Sequence, residues 1–130
     1  MRDPALISIV DDDDSIREAT KGLVRSLGYR AAVFASAEEF LQSGSLEETT
    51  CLITDVQMPG VSGIELQRRL IAQGNLVPTI FITAFPEEAG RRTAFAAGAV
   101  GFLDKPFSEE SLIHCLETAL RSSGETIPQA

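Results

Sequence analysis

Five short apolar runs, each followed by a stretch with helical start, stop or spacing signals, constrain this chain more than any other feature. They are Leu6-Ile7-Ser8-Ile9-Val10, the weaker Arg30 to Phe34, Cys51-Leu52-Ile53-Thr54, Pro78-Thr79-Ile80-Phe81-Ile82-Thr83 and Val100-Gly101-Phe102-Leu103-Asp104. Strands of this length alternating with helices predict βαβ units on a parallel sheet, whose right-handed crossovers put helices on both faces. Three runs end in residues that can do chemistry: Asp11 with Asp12, Asp55, and Lys105. Ligand sites in open α/β sheets lie outside the carboxyl ends of the strands, so these carboxylates and the ammonium are expected to meet at one edge.

The intervening segments carry start and stop signals. Ile16, Thr20, Leu23, Val24 and Leu27 recur at helical spacing, with Ser15 as the expected cap and Gly28 as terminator. Ser36 followed by Glu39 has the capping-box form, predicting a short helix to about Ser43. Met58-Pro59-Gly60-Val61-Ser62-Gly63 reads as a constrained loop leading into a helix from about Ile64 to Gln73, stopped by Gly74 and Asn75. Pro86 is expected in the first turn of the next helix, and Ala97-Gly98 at its end. Ser108 should cap the last helix, whose apolar stripe is Leu112, Ile113, Leu116, Ala119 and Leu120. Residues 1–122 thus read as one domain and 123–130 as a flexible C-terminal tail.

Composition narrows the function classes. A chain of 130 residues that is 44% hydrophobic can bury one ordinary core. Its formal charge of -8 repels nucleic acid backbones and anionic membranes, so direct binding to either is not expected. Met1-Arg2-Asp3-Pro4 lacks the basic start and apolar stretch of a signal peptide, and no run is long enough to span a bilayer; a cytoplasmic location is expected. Cys51 and Cys115 have no metal-ligand spacing and read as reduced packing residues. His114, the sole histidine, lies in the last helix without a neighbouring ligand pattern and reads as a structural or surface residue. The opening Met, and the lack of a second apolar-periodic region after Ser122, favour a stand-alone domain that acts through protein partners.

Converging carboxylates resist joint ionisation unless a cation neutralises them, so Asp11, Asp12 and Asp55 would suit a hard divalent ion. Magnesium fits best, because it prefers oxygen ligands, retains waters and shares its sphere with phosphate oxygens. The backbone carbonyl of Gln57 is a further candidate ligand. A carboxylate can attack a phosphoryl group, with a cation and a positive side chain stabilising the transferred oxygens. Lys105 would be that side chain, and Thr83 offers a hydroxyl at the next strand end. Each residue also has a plainer explanation. Asp11 to Asp14 could cap the first helix, which is the preferred reading for Asp13 and Asp14. Asp55 could serve a turn, Lys105 could be a solvated charge, and Thr83 and Phe102 could be strand and core composition. The conjunction favours the chemical reading.

The residues that carry this conjunction resemble the receiver domains of bacterial two-component response regulators. The matching pieces are Ile9-Val10-Asp11-Asp12, Ile53 to Gly63, Phe81-Ile82-Thr83-Ala84 and Gly98 to Phe107, with the last stretch most similar to receivers of the FixJ type. The resemblance implies a doubly wound flavodoxin-like (βα)5 fold with strand order 2-1-3-4-5. It implies Asp55 as phosphoacceptor, Asp11 and Asp12 as organisers of Mg2+, Thr83 and Lys105 as phosphoryl contacts, and Phe102 as the switch aromatic. It further implies a histidine kinase or histidine phosphotransfer protein as donor. The face of the fourth helix, fifth strand and fifth helix would meet a protein target or a second copy. Receivers are signalling modules that catalyse only their own phosphorylation and dephosphorylation. Asp13, Asp14 and the Phe85-Pro86 pair depart from the usual flanking pattern and leave rates and partner choice open. If the geometry holds, Gln57 and Phe85 flank the approach of a hydrolytic water and set the phosphoryl lifetime. Two other classes stay in view: a magnesium-dependent phosphohydrolase of the haloacid-dehalogenase type, whose Asp-x-Asp motif Asp11 and Asp13 mimic, and a phosphorylation-independent interaction module.

Overall fold

The computed structural model describes residues 4–122, so the expected tail at 123–130 lies outside the described residues. Strands β1 (Leu6–Val10), β2 (Arg30–Phe34), β3 (Thr49–Asp55), β4 (Thr79–Thr83) and β5 (Gly101–Asp104) pair in parallel in the order β2-β1-β3-β4-β5. Helices α1 (Asp14–Ser26), α2 (Ala37–Gln42), α3 (Gly63–Ala72), α4 (Glu88–Ala96) and α5 (Glu109–Ser122) alternate with them. This is the doubly wound flavodoxin-like architecture expected from the sequence.

The two-residue period of the strands sorts side chains into opposite layers. Ile7, Ile9, Cys51, Ile53, Ile80 and Ile82 pack with Val24 of α1 and with Leu112, Leu116 and Leu120 of α5. On the other face Val10 and Leu52 meet Phe40, Leu66 and Leu70, while Phe81 meets Ala94 and Ala99. A register slip of one residue would exchange the layers. Each fully buried Leu or Phe here contributes about 1.5–3 kcal/mol.

Several local expectations need correction. Asp13, not Ser15, caps α1: its carboxylate accepts from the amides of Ser15 and Ile16, which leaves Ser15 inside the first turn as a donor. Pro86 lies outside α4, which starts after Glu87 with no side-chain cap; the turn made by the Phe85 amide and Thr83 Oγ1 occupies the intervening loop. Strand β3 starts at Thr49 rather than Cys51, because the buried Thr49 hydroxyl is paired 2.7 Å from Ser8 Oγ and donates to Ser45 O. Glu39 reaches back to the Ala35 amide at 3.4 Å, one residue short of a reciprocal capping box, while Ser36 caps α2 as expected. The stripe on α5 also includes Cys115, whose sulfur would lie 2.6 Å from a Cβ added at Gly101. Cys51 and Cys115 are buried, free thiols, and burial raises the pKa of both.

Candidate phosphoacceptor and metal site

The parallel ladder delivers the candidate residues to one edge. Asp11 directly follows β1, and its amide extends the ladder by donating to Phe34 O. Asp55 and Thr83 are the last residues of β3 and β4. Lys105 follows β5, with its amide donating to Thr83 O at 2.7 Å. The turn after Asp55 depends on a missing side chain: a Cβ on Gly63 would lie 2.2 Å from Asp55 O. Gly63 instead donates its amide to Val56 O, which lets α3 begin directly against the end of β3. Gly60, at φ 77, takes the left-handed conformation the loop requires.

Carboxylate oxygens of Asp11, Asp12 and Asp55 lie within 4.8 Å of one another. Lys105 Nζ stands 3.0 Å from Asp55 Oδ2 and 3.1 Å from Asp11 Oδ2. The first contact is a hydrogen bond. The second is within ion-pair reach but out of line for a hydrogen bond, so the buried Asp11 Oδ2 has no hydrogen-bond partner. Burial pushes the Asp11 carboxyl above its usual 3.8, and the Asp13 amide and Lys105 offset this only in part. Burial alone would lower the Lys105 pKa, but Asp55 and Asp11 together raise it above 10.5, so the ammonium stays charged.

These features meet the demands of a hard cation. Asp11 presents a buried oxygen that faces the Lys105 ammonium but has no hydrogen-bond partner, Asp12 is exposed with no side-chain hydrogen bond or ion pair among the described residues, and the donors are all oxygens. Gln57 donates its backbone amide to Asp55 Oδ1 at 3.2 Å, which orients the carboxylate, and its side chain is exposed. Thr83 is buried, with Oγ1 accepting from the Phe85 amide at 3.0 Å. Phe85 itself is 67% exposed. Phe102 is partly buried, its ring 6.0 Å from Phe81 and 6.5 Å from Phe95. His114 is exposed on α5. Sequence reading missed Arg17, whose Nη1 donates to Asp11 O at 2.8 Å; the available signal was its helical spacing from Asp14, with which it forms an ion pair.

The family model for the response regulator receiver domain matches residues 7–117. The chain belongs to this family. The response regulator protein TmoT of Ectopseudomonas mendocina is 43% identical over 117 residues, covering 90% of this chain and 53% of TmoT. The transcriptional regulatory protein FixJ of Azorhizobium caulinodans is 35% identical, over 92% of this chain and 56% of FixJ. The solved response regulator StyR superposes with a TM-score of 0.84 at 40% identity, covering 93% of this chain and 61% of StyR. The receiver therefore spans little more than half the length of the curated relatives it matches. No helix of the described residues is long and apolar enough to cross a membrane.

Proposed function

We propose that this receiver is a phosphorylation-controlled switch in which Asp55 accepts a phosphoryl group from a sensor histidine kinase or histidine phosphotransfer protein. The observation that carries this reading is the gathering of the Asp11 and Asp12 carboxylates and the Lys105 ammonium around Asp55. Asp11, Asp12, Asp55 and the Gln57 carbonyl would hold Mg2+, which when bound supplies charge neutralisation at the transferred oxygens. An Asp55 oxygen attacks phosphorus, the phosphorus–nitrogen bond to the donor imidazole breaks, and the leaving nitrogen takes up a proton. Lys105, held protonated by the carboxylates, moves its contact from Asp55 to the incoming anionic oxygens. Thr83 Oγ1 already accepts from the Phe85 amide, which leaves its own proton for a phosphoryl oxygen. A cavity of about 360 Å³ between α4 and β5, lined by Pro86, Arg91, Phe102 and Leu103, gives the Phe102 ring room to shift when Thr83 is drawn inward. The readout surface would be α4, β5 and α5, presented in the cytoplasm to a protein target or a second copy rather than to nucleic acid.

Intact-mass measurement after incubation with acetyl phosphate and Mg2+ tests the assignment. One added phosphoryl mass is expected, dependent on Mg2+ and lost in Asp55→Asn; stoichiometric labelling of that variant would reject Asp55. Asp12→Ala should weaken Mg2+ binding more than Asp14→Ala, since Asp14 is the first residue of α1 and pairs with Arg17. The phosphohydrolase reading fits less well, because Asp11 is fully buried and Asp13 is engaged as a helix cap. Multiple turnover on a small phosphate ester would restore it. An interaction module independent of phosphorylation would show neither Mg2+ affinity nor an Asp55 adduct.

The same reading extends to signal lifetime. Gln57 can hydrogen-bond a hydrolytic water, whereas the Phe85 ring can only exclude one. Phe85→Ala should therefore accelerate decay of isolated phosphoprotein in excess Mg2+ without a matching change in Mg2+ affinity. Unchanged decay would remove the shielding role, and weakened kinase or target binding would assign the exposed ring to an interface.

A further inference from the structure

We infer that Arg17 is a positioning residue for the cation site, acting through the backbone that aims Asp12; the inference rests on the reading that Asp11, Asp12 and Asp55 hold a divalent ion. Asp12 is the one carboxylate of the cluster that is exposed and has no side-chain partner among the described residues, so within them its backbone sets where it points. That backbone is held from two sides. The Asp13 amide donates to Asp11 Oδ1 at 2.9 Å, and Arg17 Nη1 donates to Asp11 O at 2.8 Å. The oxygen gripped by Arg17 belongs to the peptide unit that leads into Asp12. Because a peptide is planar, pinning that oxygen sets the plane from which the Asp12 Cα and carboxylate project.

The other end of the guanidinium is anchored as well. Arg17 Nη2 pairs with Asp14 Oδ1, and the Arg17 side chain is only 15% exposed although Asp14 is 86% exposed. Asp14 and Arg17 are both in α1, whose start is fixed by the Asp13 cap. The planar fork of arginine thus bridges a rigid helix and the loop carrying the metal carboxylates. Lysine carries its three donors on one nitrogen and lacks the two separated nitrogens with which Arg17 reaches Asp11 O and Asp14 Oδ1. Charge argues in the opposite direction from geometry: a cation beside the cluster disfavours a second cation, so removing it would tighten metal binding if electrostatics dominated.

Calorimetric titration of the metal-free chain with MgCl2, paired with thermal unfolding with and without saturating Mg2+, separates the possibilities. Arg17→Lys, which keeps the charge, and Arg17→Gln, which removes it, should both weaken Mg2+ by about tenfold, as is typical when a group orienting a metal ligand is lost. Asp14→Asn should weaken it by a smaller factor. The Mg2+-induced rise in Tm should shrink in step. A merely structural Arg17 would lower the metal-free Tm and leave both the Mg2+ affinity and the Mg2+-induced rise unchanged, which overturns the proposal. Tighter binding in Arg17→Gln also overturns it, in favour of a charge role. Absence of any Mg2+ response in the unsubstituted chain removes the cation reading itself, and this inference with it.

Discussion

Asp11 and Lys105 show how two groups of opposite charge in one buried constellation make stability fall in the same direction, as pH rises. The folded pKa of Asp11 is raised above 3.8, so its ionised form opposes folding in the absence of metal, and that penalty fades as pH falls through the folded value. Asp11→Asn should raise the metal-free Tm by about 3–5 °C, on the order of 1 kcal/mol, while weakening Mg2+ binding. A fall in metal-free Tm would contradict the burial argument. Lys105 acts in the same direction at the alkaline end: its folded pKa lies above 10.5, so its contribution is complete below that value and is lost as pH rises through the folded value. Urea unfolding between pH 9 and about 12 should show a steeper alkaline loss in the unsubstituted protein than in Lys105→Met. At this scale the convergence of the candidate side chains was legible, because Asp11, Asp12, Asp55 and Lys105 each end an apolar run and a parallel sheet brings such ends together. Arg17 was not, since its contact is to a backbone oxygen, and a carbonyl leaves no mark in the sequence.

Elements differ in how firmly they are fixed. Helix α3 is locked to β3 where Gly63 passes Asp55 O, and Gly63→Ala would force one of two backbones to move. A destabilisation of about 1–3 kcal/mol is expected, with weaker Mg2+ binding, because the displaced backbone carries Asp55. Undiminished Tm and affinity would show that the loop can yield. Helix α4 is held more loosely. It has no side-chain cap, Ala94 is its one buried residue, and Gly90 sits in its interior with open space where a Cβ would be. Gly90→Ala should stabilise by about 1 kcal/mol and raise hydrogen-exchange protection of the α4 amides, since nothing opposes the added methyl. If Gln67 Nε2, which donates to Ala94 O at 3.3 Å, already fixes the helix fully, protection will not change. The helices were legible where caps and apolar stripes agreed, as at Ser36 and Ser108. The start of α4 was misread because Pro86 satisfies the rule for a first-turn proline equally well in the loop just before it.

Across the whole molecule, strand direction separates two rims. All five strands point their carboxyl ends at the cluster, whereas the amino ends of β3 and β4 meet the loops around Glu47, Glu48 and Leu76, which frame a cavity of about 620 Å³. Sequence alternation sufficed to establish the layers, because period-two burial in β3 and β4 assigns successive residues to opposite faces. What alternation could not convey was the traffic across each rim, where side chains meet main chain. Leu76 is 76% exposed on the far rim and contributes to no cluster that supports the carboxylates. The chain can therefore be cut open or lengthened at one end without disturbing the other: a foreign domain grafted beside Leu76 should leave the Mg2+ titration unchanged, whereas the same graft between Met58 and Ser62 should abolish it.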